Sequence, residues 1–238
     1  MLKKFAWLGG ALVLAVTAAT TAQAAVSAGE AAKLKTTLTP IGAERAGNAA
    51  GTIPEWTGGL TKSPFPSYKP GDHHPDPYAS DKYKFVITSK NMSEYADNLS
   101  DGQKALFRTY PDTFKMFVYQ TRRSAALPQR LYDNTFKCAT TGVVKDWGID
   151  GCIGGTPFPI PSGNNEEQAL QSLWNHITRY RGEYVVRKAS EVAVQRNGSY
   201  SLVTSQQEVS FRNYQQQYKT LADLNNILVY YLSFTTAP

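Results

Sequence analysis

"EYVVRKASEVAVQRNGSYSLVTSQQEVSFRNY", residues 183–214, decides the fold class. Two runs rich in valine, tyrosine, serine and threonine flank Asn197-Gly198, the strongest short-range signal for a β-hairpin. The expected strands cover 184–196 and 199–211. Side chains alternate between the two faces of a strand. Tyr184, Val186, Val192 and Val194 therefore share one face, and Val185, Arg187, Glu191 and Gln195 the other. On the second strand Tyr200 and Leu202, then Val209 and Phe211, fall on alternate faces. A bulge that switches the apolar side is expected there. Two apolar faces exceed what a one-sided, solvated antiparallel sheet needs.

The flanks extend the pattern. "NNEEQALQSLWNHITRYRG" (164–182) carries every local sign of a helix ending near 181. Asn164 or Asn165 caps its start, Glu166 and Glu167 suit its positive end, and Gly182 stops it. Arg179 and Arg181 suit the negative end, and Arg181 is read as folding back to the last carbonyls. Leu170, Leu173, Trp174 and Ile177 form an apolar stripe expected to cover one face of the sheet. "NNILVYYLSFTTAP" (225–238) reads as a further strand. A fully apolar strand has an outer edge that invites pairing, so the sequence is read as part of a longer protein.

Upstream, 114–161 reads as strands and turns. Its aromatic and β-branched run "FKMFVYQTR" is followed by a glycine- and proline-rich loop, "GIDGCIGGTPFPIP". Residues 91–109 read as one or two helices, with Met92, Tyr95, Ala96 and Leu99 at helical spacing. Ser100 and Gln103 form a capping box for the second. Residues 25–90 are irregular. Ser27 and Glu30 point to a short helix over 27–34. Then "LTPIGAERAGNAAGTIPEWTGGL" (38–60) has five glycines, two prolines and no long apolar run, and prolines recur at 54, 64, 66, 70, 75 and 77. Extended, proline-fixed backbone of this kind either stays disordered or wraps a scaffold. Ile53, Trp56, Phe65, Tyr68 and Tyr78 favour wrapping. The segment is expected to be a strap that buries Trp56, with Gly42, Gly47, Gly51, Gly58 and Gly59 at positive φ or in close contact.

The first 24 residues read as a secretory signal peptide. Lys3 and Lys4 precede an apolar run over 5–16, and Ala22-Gln23-Ala24 supplies the small-x-small cleavage pattern near Ala24. The run is too short to span a bilayer. Of 25 basic residues two lie in this segment, which leaves 23 against 19 acidic and a formal charge of +4. That permits contact with anionic lipid or an acidic partner, and export argues against nucleic acid. Composition is that of a folded protein, and 14 tyrosines suit a strand-rich one with amphipathic surfaces.

Catalytic motifs are missing from the sequence: it has no G-x-S-x-G, H-E-x-x-H, G-x-x-x-x-G-K-[ST] or G-x-G-x-x-G. No catalytic residue, metal site or cofactor is expected. Cys138 and Cys152, the two cysteines, are expected to be bonded in an oxidising compartment. Their spacing is not C-x-x-C, which disfavours a redox pair. His73 and His74, with Asp72 and Asp76 nearby, read as a polar surface turn or a weak metal site. His176, beside the apolar stripe, reads as a buried histidine with a hydrogen-bond partner. Arg122, Arg123 and Arg130 read as a solvated strand face or as contacts to lipid head groups.

Four ordered stretches then bring a family into view: "LTPIGAERAGNAAGTIPEWTGG", "YPDTFKMFVYQTRRSAALPQR", "IGGTPFPIP" and "LWNHITRYRG". Together they closely resemble exported proteins of the domain of unknown function numbered 1329. The likeness covers nearly all of the chain after residue 24 and departs from the pattern at Phe117, where proline is expected. The family is described as similar to outer-membrane lipoprotein-sorting proteins. The resemblance implies an α+β lipoprotein-carrier fold, a half-open antiparallel barrel around an apolar cavity with covering helices. It implies genomic neighbours that encode a resistance–nodulation–division transporter and an outer-membrane β-barrel.

The expected organisation is therefore a signal peptide (1–24), an irregular strap (25–90) and an incomplete barrel-like α+β domain (91–238). The expected function is that of a periplasmic carrier or chaperone for an apolar small molecule or lipid, peripheral to the outer membrane. Trp174, Tyr184, Val186, Val192, Val194 and Phe211 are the candidate ligand contacts. The alternatives are a non-carrying accessory subunit of a transporter complex and, with least in its favour, an enzyme acting on lipids or glycans.

Overall fold

The computed structural model describes residues 26–69, 72–225 and 227–236. The expected signal peptide over 1–24 and its cleavage point lie outside the described residues. Among the described residues the architecture is mixed α+β, built from four α-helices, short 3₁₀ turns and antiparallel sheets: β1 (Phe85–Ile87) with β2 (Met116–Val118), β3 (Val143–Lys145) with β4 (Gly148–Asp150), and a three-stranded sheet in the order β5 (Tyr184–Val194), β6 (Tyr200–Phe211), β7 (Val229–Thr236). Among the described residues no sheet closes into a barrel.

The helices follow their caps where caps exist. α1 (Ala28–Ala32) starts at Ser27, whose Oγ accepts from the Glu30 amide at 3.2 Å. α2 (Asp101–Thr109) has the full Ser100–Gln103 capping box. It buries Phe107 with Ile87 and Leu99, and Phe107 meets Phe114 edge-on at 4.7 Å.

α3 (Gln129–Thr141) overturns the expectation of strands and turns across 114–161. Its start has no side-chain cap, only Pro128, and its composition mixes aromatic and β-branched residues. Its helical logic lies in its buried face: Leu131, Thr135, Cys138 and Ala139 recur at helical spacing. They pack against α1 on one side and the three-stranded sheet on the other. Tertiary contacts, not propensity, stabilise such a helix. The disulfide between Cys138 and Cys152 is formed, and both cysteines are buried. The next hairpin turns at Asp146 and Trp147, with φ of 49° and 65°.

α4 (Asn165–Ile177) has its expected capping box at Asn164 and Glu167 but ends at Thr178, one turn earlier than expected. Its apolar stripe is not its buried face. Gln171 is buried and bonds both the amide and the carbonyl of Ser162, and Asn175 does the same for Phe158. The proline-rich 156–162 loop cannot satisfy its own backbone with a ladder, so amide side chains do it. Leu173 and Ile177 are left 52% and 42% exposed, and the helix does not cover the sheet with them.

The hairpin also differs in detail. Gln195 donates its amide to the Ser199 carbonyl at 2.8 Å, and Gly198 donates to the Gln195 carbonyl at 3.0 Å. The loop is therefore Arg196-Asn197-Gly198, with Gly198 at φ 84°, a three-residue turn rather than a two-residue one. Pairing then runs without a bulge from Val194↔Tyr200 to Tyr184↔Ser210. One face of the sheet is sealed at its base by Val185, Val209, Phe211 and Val229, packed with Leu131 and Tyr214.

Candidate functional site: an uncovered face of the three-stranded sheet

The register fixes which side chains share the other face. Val192 lies opposite Leu202 and Val194 opposite Tyr200. Tyr184 and Val186 belong to the same face, and β7 adds Tyr230, Leu232 and Phe234 through their pairing with Ser210, Glu208 and Gln206. These nine apolar or aromatic residues are 47% to 71% exposed. A surface of that breadth is more than the scattered exposed hydrophobics of an ordinary monomer. The middle of the face is polar. Glu208 accepts hydrogen bonds from the Tyr184 hydroxyl and, at 3.1 Å, from the Gln206 amide. The Tyr184 bond, with the Gln206 bond second, holds the Glu208 carboxyl below its ordinary pKa, and the same hydrogen bond raises the Tyr184 phenol. A polar band of Lys188 and Ser190 on β5 and Thr204, Gln206 and Glu208 on β6 crosses the face, with apolar side chains at both ends of β5, at the start of β6 and along β7.

Of the expected ligand contacts, Tyr184, Val186, Val192 and Val194 come together here. Phe211 does not: it lies on the opposite face in the core, with Arg181 stacked over its ring at 4.7 Å. Trp174 does not either, because its indole N–H is bound to the Trp147 carbonyl at 2.9 Å. Tyr200, Leu202, Tyr230, Leu232 and Phe234 share this face and were not among the expected contacts. Counting pairs outward from the hairpin loop identifies the first two, and only the β6–β7 register identifies the rest.

The other singled-out residues have structural roles. His176 is exposed, not buried, and its ring nitrogen lies 3.3 Å from Arg179. Arg181 donates to the Ile177 carbonyl at 3.3 Å, as a helix-end partner should. Burial first, then Arg179, lowers its pKa. His74 stacks on Tyr68, while Asp72 and Asp76 accept from the backbone amides of Lys69 and Tyr78. Among the described residues no three His, Cys, Asp or Glu side chains are grouped to hold a metal. The arginine run is neither a solvated strand face nor a free basic patch. Arg122 grips Asp81 with two nitrogens and lies over Tyr78. Arg123 reaches four backbone carbonyls, and Arg130, on α3, pairs with Glu183.

Residues 38–60 meet the 122–127 segment. The Trp56 indole N–H donates to the Ala125 carbonyl at 2.9 Å, and its ring meets Tyr132 edge-on and Arg45 face-on. At Gly59, φ 72°, an added Cβ would lie 2.3 Å from the same carbonyl, so only glycine permits the approach. Trp56 is half-buried rather than buried, because one side faces an apolar cleft of about 160 Å³ lined by Pro40, Ile41, Leu127 and Tyr132. Trp56→Ala is accordingly expected to cost about 2 kcal/mol, less than the ~3–5 kcal/mol of a fully buried aromatic. Urea denaturation measures it, and no change in midpoint would show that Trp56 holds nothing.

Fold and site together define a mixed α+β protein with antiparallel sheets and one broad uncovered apolar sheet face. Among the described residues no helix is long and apolar enough to cross a membrane. The chain belongs to the family described as Protein of unknown function (DUF1329), which matches residues 86–238. It is 43% identical over 231 residues to the Uncharacterized protein PA3922 of Pseudomonas aeruginosa, an alignment covering 96% of this chain and 49% of that protein. The chain thus spans about half the length of this curated relative. No solved structure matches it.

Proposed function

We propose that this protein carries an apolar or amphiphilic molecule, a lipid or a lipoprotein acyl chain, on the uncovered face of its three-stranded sheet. The observation that carries the proposal is the nine exposed apolar side chains brought to one face by the β5–β6–β7 register. An amphiphile would lay its tail along the apolar side chains and its polar part along the band of Lys188, Ser190, Thr204, Gln206 and Glu208. Burial of apolar area at about 25 cal/mol per Å² supplies the driving force. In this reading the sheet is one wall of a half-open barrel in a longer protein, and residues 38–60 are the strap that clamps it. The chain is exported, works in the periplasm beside the outer membrane, and catalyses nothing. A resistance–nodulation–division transporter and an outer-membrane β-barrel are the partners the family likeness suggests. The competing cover for the face is another protein surface, which would make the chain an accessory subunit.

The test uses the neutral dye N-phenyl-1-naphthylamine with the full-length protein. Saturable binding is expected, with displacement by a native lipid extract. Val192→Lys should weaken it at least about tenfold, since a charge enters an apolar contact, with an unchanged circular dichroism spectrum. If the dye does not bind and mass spectrometry finds no copurified apolar molecule, the carrier function is wrong and the accessory-subunit function replaces it.

A further inference from the structure

The sheet face is apolar, but a second concavity has the opposite chemistry. A pocket of about 310 Å³ opens between α3, the loop after Cys152, and the turn that follows β6. On α3, Arg130, Asn134 and Lys137 lie at i, i+4 and i+7, which puts them on one side of the helix. The turn contributes Asn213, Tyr218 and Lys219. Three cations line the pocket and no carboxylate does. Arg130 is neutralised, since it pairs with Glu183. Lys137 and Lys219 have no acidic partner among the described residues. Asp223, the nearest acid in sequence to Lys219, accepts instead from the backbone amides of Lys219 and Thr220, at 2.8 and 2.9 Å.

The pocket wall is held open by backbone, not by chance side-chain packing. Gly154, at φ 70°, lets the loop pass where an added Cβ would lie 2.7 Å from the Asn134 amide nitrogen. Asn134 in turn donates to the Gly154 carbonyl at 3.2 Å. The disulfide ties this loop to α3 two residues earlier.

We infer that this pocket binds a phosphate group, with Lys137 and Lys219 as its charge partners. Two lysines without acids supply point charges for phosphate oxygens. The inference does not depend on the sheet face carrying a ligand. The phosphate can come free in solution or from a phospholipid head group.

Calorimetry at constant ionic strength, with inorganic phosphate and with glycerol 3-phosphate, tests the first source. Flotation with phosphatidylglycerol vesicles, against phosphatidylcholine vesicles, tests the second. The variants are Lys137→Gln with Lys219→Gln, and a charge-matched control, Lys62→Gln with Lys82→Gln, at exposed positions away from the pocket. The pocket pair should weaken binding about tenfold for each lysine removed, while the control pair leaves it unchanged. Loss confined to the soluble phosphates assigns a free phosphate. Loss confined to vesicles assigns a head group. Equal loss in both pairs would reduce the effect to net charge and overturn the inference, as would no binding in either arm.

Discussion

The double substitution Cys138→Ala with Cys152→Ala is expected to lower the free energy of unfolding by about 3 kcal/mol. The bond closes a loop of about 15 residues, and its main action is to restrict the unfolded chain. For a chain of this size that corresponds to a fall in Tm of about 6–12 °C. The loss should be local before it is global. Cys138 lies near the end of α3 and Cys152 begins the loop that folds back on it. Gly151 and Gly155 press that loop so close to α3 that an added Cβ would lie 1.9 Å from the Thr141 carbonyl and 2.5 Å from the Thr135 amide. Thr141 Oγ1 also donates to the Gly151 carbonyl at 2.6 Å. Differential scanning calorimetry of the bonded protein and the variant measures the effect. A shift under about 2 °C would mean that these close backbone contacts hold the loop without the bond.

Arg123→Ala is expected to cost a comparable amount, about 3 kcal/mol, and to release residues 44–56 from the body of the protein. One guanidinium donates to the carbonyls of Glu44, Arg45, Ala46 and Pro54, at 2.6 to 3.3 Å. Hydrogen bonds to a charged donor contribute roughly 1.5–3 kcal/mol each, but four that share one donor do not add. The bonds from the Trp56 indole to Ala125 and from Leu60 to Ser124, both at 2.9 Å, hold only the far end of the segment. Arg123→Lys should recover little, because an ammonium cannot reproduce the planar fork. Limited proteolysis should find a new cut between residues 46 and 58 in both variants. Wild-type stability in Arg123→Lys would show that charge alone, not the fork, fastens the segment.

Those two predictions also mark where sequence reasoning succeeds and fails. The disulfide was legible because the sequence has just two cysteines, 14 positions apart and flanked by turn-formers. Arg123 was not legible as a fastener. Its partners are backbone carbonyls 69 to 79 positions away, and a carbonyl leaves no mark in the sequence. The same holds for α4. Its capping box is local, so Asn164 and Glu167 announced the helix. Its buried face is Gln171 and Asn175, chosen by a proline-rich loop that needs hydrogen bonds, and the more apolar Leu173 and Ile177 were left outside. α3 escaped notice because no capping side chain announces it and its buried residues include Thr135 and Cys138, which carry weak helical preference.

The candidate site divides along the same line. Period-two alternation in 183–194 placed Tyr184, Val186, Val192 and Val194 on one face from sequence alone, since a strand allows no other arrangement of neighbours. Membership of Tyr230, Leu232 and Phe234 in that face, and the exclusion of Phe211 from it, came only from pairing. Register is a relation between strands: a slip of one residue in β7 would turn Tyr231 to this side and its three neighbours to the other. The caps of α1, α2 and α4 and the place of the β5–β6 hairpin were determined by the sequence itself, because each depends on residues within a few positions of one another, and the cysteine bond was determined by the presence of just two cysteines. Which face of the sheet is sealed and which is left open was decided by tertiary structure, where Leu131 packs in one cluster with Val185, Phe211 and Tyr214, residues more than 50 positions away from it in the chain.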